Sequence, residues 1–440
     1  MRVVLISTYE LGRQPFGLAS PAAWLRARGH DVVCADLSVG AMPLDATHDA
    51  SLIAFYLPMH TATRLALKVI EQVREANPAA TLCAFGLYAP INAELLRGMG
   101  IAHIFGGEFE QALANLADGK LPPEGLISLD RLQFITPDRS GLPGLERYAK
   151  LRINGEDRLA GATEASRGCK HRCRHCPVVP VYNGAFRVVQ QDVVLEDIRR
   201  QRELGAQHIT FGDPDFFNGP THAMHIVESL AREFPGMSYD VTVKVEHLLR
   251  HRDLLPVLRD TGCAFVTSAI ESVDDDVLVK LDKGHTRRDF YESATLLRHH
   301  DLTMNPTFIA FMPWTTRSGF RELLAALREL DLVDQTSPMQ LALRLLITSG
   351  SRLLELEEIR SVAGPFNQES LAYPWKHTDS SVDELGSNAM RLVTAGQREG
   401  QSRRRIFARL WSLVSEERLP DEFELLPRAT VPYLNEPWYC

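Results

Sequence analysis

The sequence predicts an α/β protein: a doubly wound parallel sheet, then a partial β/α barrel of six units, then a mostly helical C-terminal segment. Three observations carry this prediction. Short apolar runs alternate with amphipathic stretches over residues 1–120 and again over 159–360, the pattern of parallel strands joined by helices. Between the two stretches, Pro122, Pro123, Pro137 and Pro143 break all periodicity and mark a connector over 121–158. From residue 361 to 440 the alternation stops, and Ser380 to Glu417 reads as helix with Leu392, Ile406, Phe407, Leu410, Trp411 and Leu413 as its apolar positions.

In the first unit, Val3 to Ile6 reads as a buried strand. Ser20 and Pro21 offer an N-cap and an N1 proline for a helix through Arg28, which Gly29 closes. Strands follow at Val32 to Ala35, Leu52 to Phe55, Thr81 to Phe85 and Ala102 to Phe105. Helices are expected from Thr61 to Asn77, around Ala93 to Met99, and from Glu108. This is a Rossmann-like arrangement, and such sheets bind ligands outside the carboxyl ends of their strands. Those ends carry Tyr9-Glu10-Leu11-Gly12, Leu57-Pro58-Met59-His60, Gly86-Leu87-Tyr88 and Gly106-Gly107-Glu108-Phe109-Glu110. No Gly-x-Gly-x-x-Gly follows the first strand, so a dinucleotide site is weakly supported. The connector is expected to be an ordered strap, because Leu126, Ile127, Leu132 and Phe134 need burial.

The six barrel strands are expected at Ala162 to Ser166, His208 to Phe211, Tyr239 to Val243, Phe265 to Ile270, Thr303 to Phe311 and Gln340 to Ile347. Sites in β/α barrels gather at the carboxyl ends of the strands. Composition bounds the partners. Hydrophobic residues make up 45% and charged residues 24% of 440, and the net charge of -8 comes from interspersed charges, which gives no electrostatic case for nucleic acid. The run Arg403-Arg404-Arg405 reads as a solvated helix face. No apolar stretch approaches a membrane span, and Met1 to Ser7 is too short for a signal peptide, so a cytoplasmic protein with reduced thiols and no membrane partner is expected. Of seven cysteines, Cys34, Cys83 and Cys263 read as buried small hydrophobes.

Cys169, Cys173 and Cys176 are different. They lie in Arg167-Gly168-Cys169-Lys170-His171-Arg172-Cys173-Arg174-His175-Cys176-Pro177, three thiols in eight residues, odd for disulfides and one short of a closed zinc site. A cubane [4Fe-4S] cluster takes four thiolates, so three would leave one iron open to a small molecule. A zinc knuckle completed by His171 or His175 is the alternative. The loop resembles the Cys-x3-Cys-x2-Cys signature of the radical S-adenosylmethionine (SAM) superfamily, although His175 stands where that superfamily usually has an aromatic. The resemblance implies that SAM chelates the open iron, and that an electron from the cluster cleaves the sulfonium to release a 5'-deoxyadenosyl radical.

The Gly106-Gly107-Glu108-Phe109-Glu110 turn ahead of such a loop resembles the cobalamin-binding domain of B12-dependent radical SAM enzymes. That resemblance assigns Tyr9, Glu10, His60, Gly86, Gly106, Gly107 and Glu108 to cofactor binding, with His60 as a cobalt ligand or an ordinary hydrogen-bonded residue. The Asp-x-His-x-x-Gly motif that supplies the lower cobalt ligand in many B12 proteins is absent. In the barrel, Asp213 and Asp215 stand where the superfamily holds the SAM ammonium, with Asp215 the one reaching substrate; a simple Asp213-Pro214 turn is the alternative. Lys244 and Glu246 end the third strand. Ser268-Ala269-Ile270-Glu271-Ser272 resembles a Gly-Ile-Glu-Ser segment near the SAM ribose and carboxylate, with Ala269 for glycine; Glu271 as an N-cap is the alternative. Arg344, placed inside the sixth strand, needs a carboxylate from SAM, substrate or Glu246.

The tail Val431-Pro432-Tyr433-Leu434-Asn435-Glu436-Pro437-Trp438-Tyr439-Cys440, taken with the opening Ile6 to Pro21, resembles a radical SAM subfamily ending in Cys-Cys-Ala-Glu-Pro or Cys-selenocysteine-Ala-Glu-Pro. The expectation is a tail docked near the active site, with Cys440 and Asp215 as catalytic candidates and a coding frame that continues through a selenocysteine codon. Cys440 as a natural terminal thiol is the alternative. The resemblance implies a [4Fe-4S] cluster, SAM and cobalamin as cofactors, radical methyl transfer as the reaction, a small-molecule or peptide substrate, and an electron donor such as flavodoxin or ferredoxin. Cobalamin-assisted rearrangement, transfer of another SAM-derived group to a thiol or metalloid on the tail, and a non-catalytic metal or electron carrier are the rival readings.

Overall fold

The computed structural model describes residues 1–120, 125–419 and 431–435. The first sheet contains β1 (Arg2–Ser7), β2 (Asp31–Asp36), β3 (Leu52–Tyr56), β4 (Thr81–Phe85), β5 (His103–Gly107) and β6 (Ile127–Ser128), in the order β2-β1-β3-β4-β5-β6. All its pairings are parallel. β1 is a run of branched side chains buried from Val3 to Ser7, as a strand covered on both faces must be. With β1 between β2 and β3, the strand order reverses beside β1, and the crevice lies at the carboxyl ends of β1 and β3.

Two expectations for this unit change. The first helix spans Phe16–Ala27, so Pro21 lies inside it and Ser20 is not its cap. Ser20 Oγ instead donates to Glu110 Oε1 at 2.7 Å, a buried bond reaching the turn after β5. In the connector, Ile127 joins the sheet as part of the edge strand β6 and stays 40% exposed, while Phe134 is buried as expected.

The second sheet has the order β14-β13-β12-β11-β8-β7-β15. Its strands are β7 (Lys150–Ile153), β8 (Glu156–Thr163), β11 (His208–Phe211), β12 (Ser238–Thr242), β13 (Cys263–Glu271), β14 (Met304–Phe308) and β15 (Tyr433–Asn435). β8, β11, β12, β13 and β14 pair in parallel. β7 and β15 extend the edge antiparallel, so the described part of the tail docks on the rim of this sheet. A separate hairpin pairs β9 (Ser166–Gly168) with β10 (Phe186–Val188).

The sixth barrel strand expected over residues 340–347 is reduced to one bridge. Pro338 starts a 3-10 turn over Pro338–Leu341, and only two backbone bonds, Phe311 N–H to Leu343 O (3.0 Å) and Leu345 N–H to Phe311 O (2.8 Å), continue the sheet. Arg139 from the connector ties the two units together. Its guanidinium reaches Gln14 Oε1 (2.8 Å), Ala162 O (2.6 Å) and both oxygens of Asp197, all buried. The C-terminal helices are Ser380–Arg398 and Arg403–Trp411. The basic run there is not simply solvated: Arg403 is buried against Asp334 O and Arg404 pairs with the Asp334 carboxylate at 2.9 Å. Cys34 and Cys83 are buried, and Cys263 is partly exposed at the start of β13. Among the described residues no helix is long and apolar enough to cross a membrane.

Candidate active site

β8 ends at Thr163 and the chain turns through the β9–β10 hairpin, whose long connection is the cysteine loop. Gly168 opens the loop at φ +76°, where an added Cβ would stand 2.4 Å from Tyr182 Cδ1 and 2.5 Å from Ala185 O. Only glycine meets both demands. The buried Asn218 side chain grips the loop on both sides, donating to Gly168 O (3.3 Å) and accepting from Lys170 N–H (3.1 Å). Arg174 N–H bonds Leu281 O (2.9 Å), which fixes the middle of the loop to the far side of the sheet. Cys173 is buried, and Cys169 and Cys176 pack against an apolar cluster of Val178, Val181 and Tyr182. Replacing Gly168 by alanine is expected to destabilise the fold by about 1–3 kcal/mol through backbone strain and overpacking, read by urea unfolding, and to lower iron bound per chain.

Cys169, Cys173 and Cys176 offer three soft ligands, one short of a closed tetrahedral zinc shell. Among the described residues the group of His, Cys, Asp or Glu ligand atoms lying within 4.8 Å of one another is His171, Asp215 and His247, not the cysteines. The same group draws His171 towards β11 and β12, away from the role of fourth zinc ligand.

The carboxyl ends of β11, β12 and β13 place polar side chains around this loop. Asp213 is buried and accepts from Ala165 N–H (2.9 Å) and Ser166 Oγ (2.5 Å); burial pushes its pKa up to about 7 despite those bonds. Its oxygens therefore hold the turn from β8 into β9. Asp215 accepts from Phe217 N–H (3.2 Å) and Lys244 N–H (3.4 Å) through Oδ1, while Oδ2 lies 2.7 Å from His247 Nδ1. Lys244 is buried, and its Nζ donates to His171 Nδ1 (2.9 Å) and stands 3.6 Å from Glu246 Oε2. Burial, Lys244 and His247 together lower the His171 pKa to about 4.

Ser268 is fully buried and donates to Val243 O at 2.8 Å. Glu271 sits at φ +68°, in a left-handed conformation costly for a non-glycine residue, at a register shift between β13 and β14. Burial alone would raise its pKa; Lys283 (3.5 Å) and the hydrogen bond from His175 Nε2 (3.2 Å) override it and bring it down to about 2. The helix cap nearby is Asp274, so Glu271 is not an N-cap. Burial and the two lysines lower the His285 pKa to about 3. Sequence reasoning missed Lys283, His285, His175 as a partner, and Asn218. The Lys283-Gly284-His285 turn between two helices was the available signal for the first two.

A cavity of ≈ 200 Å³ lies between the carboxyl ends of the two sheets. Glu10, Tyr56, Met59, Gly86, Gly107 and Phe109 wall it from the first sheet, and Thr163, Glu164, Arg167 and Tyr182 wall it from the second unit. Arg167, one residue before Gly168, crosses this boundary. It bonds Glu110 Oε1 (2.6 Å) and Oε2 (3.0 Å), Glu108 Oε2 (3.3 Å) and Glu164 Oε2 (2.6 Å). The Phe109 and Phe134 ring centres lie 5.0 Å from its guanidinium carbon, and Tyr182 OH donates to Glu108 at 3.0 Å. Burial raises the Glu108 pKa to about 7 against the pull of Arg167. Burial and the Glu164 charge hold Glu10 well above the carboxylate range.

Several expected site residues are placed elsewhere. Arg344 is exposed rather than buried in a strand; it pairs with Asp383 at 2.8 Å and stacks on Trp375 at 4.0 Å, so it needs no ligand carboxylate. His60 donates from Nε2 to Ser370 O at 2.7 Å, the hydrogen-bonded role the sequence also offered. Tyr9 is buried beside the cavity without lining it. Gly107 lines the cavity, and both Gly106 and Gly107 are required by the protein's own packing, with added Cβ atoms 2.6 Å from the Pro90 ring and 2.1 Å from Ser128 O. Cys440 lies outside the described residues.

Residues 163–327 match the model of the radical SAM superfamily. The chain is 25% identical over 327 residues to the hopanoid C-3 methylase of Methylococcus capsulatus, covering 68% of this chain and 62% of that one. It is 26% identical over 149 residues to the bacteriochlorophyllide d C-12(1)-methyltransferase of Chlorobaculum tepidum, covering 33% of this chain and 32% of that one. The chain thus spans less than two thirds of either relative. Its fold is similar to the cobalamin-dependent SAM radical enzyme OxsB with aqua-cobalamin bound, at TM-score 0.69 and 14% identity over 90% of this chain and 67% of that one. It is also similar to the radical SAM methyltransferase TsrM from Kitasatospora setae with cobalamin and a [4Fe-4S] cluster bound, at TM-score 0.56 and 17% identity over 75% of this chain and 70% of that one.

Proposed function

We propose that this chain, whose residues 163–327 are a radical SAM domain, is a cobalamin-dependent radical SAM enzyme that methylates an unactivated carbon of a small organic substrate, drawing electrons from a donor such as flavodoxin or ferredoxin. One observation carries the reading: a loop with three cysteines in eight residues opens at the carboxyl end of β8 beside a cavity walled by the strand ends of both sheets. The methyltransferase relatives support the reaction class. When bound, the cluster with SAM supplies a carbon-centred radical and cobalamin supplies a transferable methyl group.

The chain's residues fit the cluster: Cys169, Cys173 and Cys176 are soft ligands in a partly apolar shell, set by Gly168 and Asn218. Around it, Lys244 and Lys283 offer buried cations to a ligand carboxylate, and Glu271, held ionised, offers acceptors to hydroxyl or ammonium donors. Asp213 is engaged with Ala165 and Ser166, so its part is to hold the loop. For cobalamin the lining fits in chemistry, with the apolar Phe16, Met59, Leu87 and Phe109 side chains beside the polar Glu10 and Arg13. The volume falls below that of a drug-sized ligand site, so seating a corrin ring would require the lining to open.

Anaerobic protein reconstituted with iron and sulfide, gel-filtered with hydroxocobalamin and reduced in the presence of SAM is expected to keep both iron-sulfur and corrinoid absorption and to form 5'-deoxyadenosine. Absence of deoxyadenosine would sink the radical reading, and loss of corrinoid bands on filtration would sink the cobalamin part.

A further inference from the structure

The geometry points to a second metal site, separate from the cysteine cluster: one divalent cation held by His171, Asp215 and His247. The three ligand atoms lie within 4.8 Å of one another. His171 Nε2 is 3.4 Å from His247 Nε2 and 3.8 Å from Asp215 Oδ2. Ligands bound at about 2.0–2.1 Å in a tetrahedral shell stand about 3.4 Å apart, so these side chains need only small shifts to close on one ion.

Burial makes the group costly without one. Asp215 is 1% exposed and His247 3%, and Asp215 Oδ2 and His247 Nδ1 both lack an aligned hydrogen bond although they are 2.7 Å apart. A buried carboxylate oxygen left so is costly, and a cation on Asp215 Oδ2 would offset that cost. The surroundings also orient the ligands as metal sites do. Phe217 N–H and Lys244 N–H hold Asp215 Oδ1 and leave Oδ2 turned to the two imidazoles, while Lys244 Nζ donates to His171 Nδ1 and leaves Nε2 facing the group. Two imidazoles and one carboxylate favour zinc or ferrous iron over calcium or magnesium, and manganese serves as a paramagnetic stand-in for ferrous iron.

Such an ion would act as a clamp. His171 lies between Cys169 and Cys173, whereas Asp215 and His247 follow β11 and β12, so one cation would pin the cysteine loop to two strand ends. The site does not depend on what the cysteines hold.

The test uses anaerobic, full-length, cluster-loaded protein dialysed against manganese and then against metal-free buffer. Metal analysis is expected to find one manganese per chain besides the cluster iron, with nitrogen couplings from two imidazoles in pulsed electron paramagnetic resonance. Asp215→Asn and His247→Gln are each expected to weaken manganese binding about tenfold or more while iron and sulfide stay unchanged. Wild-type protein without bound manganese, a signal without imidazole nitrogen, or manganese retained in both variants would overturn the clamp. Should His247→Gln fail to fold, Asp215→Asn and the nitrogen couplings still decide. Iron and sulfide measured on the same samples keep a failure of the cluster reading distinct from a failure of this one.

Discussion

Replacing Cys173 by alanine is expected to reduce iron and sulfide to background and SAM cleavage by roughly 10³-fold or more, because groups that act as one unit fail together when one is removed. The fold should survive. The cysteine loop is shaped by contacts that do not involve the thiol: the Gly168 turn against Tyr182, the two Asn218 bonds, the Arg174 bond to Leu281 O and the β9–β10 pairing. Unchanged far-UV circular dichroism beside lost iron is therefore the expected pair of readings. Cys263→Ala, at the far end of β13, serves as the control and should keep full iron content. Iron retained in the Cys173 variant would mean that the loop is not the cluster's seat.

Much of this frame was legible in the sequence because its signals are local. The strands of the first sheet announce themselves as short apolar runs, and the helix at His60–Ala76 follows its periodicity to within one residue. Local signals also explain the misreadings. Ser20-Pro21 has the chemistry of a helix start, yet Pro15 and Phe16 begin the helix a turn earlier, where Phe16 and Leu18 bury against the sheet and its neighbours. Arg344 followed from a strand that is reduced here to one bridge, and its true partner Asp383 lies in the expected C-terminal helix, 39 residues away, through a contact that no local pattern reveals.

The site divides in the same way. The cysteines are fixed by spacing within eight residues, but the groups around them meet through tertiary contacts. His171 reaches His247 across 76 residues, and Asp213 holds residues 47 and 48 positions upstream. Arg167 was visible only as a neighbour of the loop. Its carboxylate partners at Glu108 and Glu110 lie 59 and 57 residues away, in a turn whose glycines suggested cofactor binding. Nothing in either segment alone says that the two interlock.

That interlock predicts the largest stability effect in the molecule. Arg167→Met is expected to destabilise the fold by about 3–5 kcal/mol, since it leaves Glu108 and Glu110, both fully buried, with no cation, and removes the bidentate fork between the sheets. The pH dependence identifies the cause. Glu108 already has a folded pKa of about 7, above the unfolded carboxylate value of about 4.5, so the folded state binds the extra proton between these limits. Its contribution to stability is present in full below the lower limit and is lost as pH rises through the upper one. Without Arg167 the Glu108 carboxyl is harder still to ionise, so the deficit should be largest near about pH 8 and shrink towards about pH 5.5, as measured by urea unfolding. Arg167→Lys keeps the charge and loses the fork, and should fall between the two. A deficit that stays the same across this range would mean that Arg167 acts through packing on Phe109 and Phe134 rather than through the carboxylates, because ring contacts do not titrate.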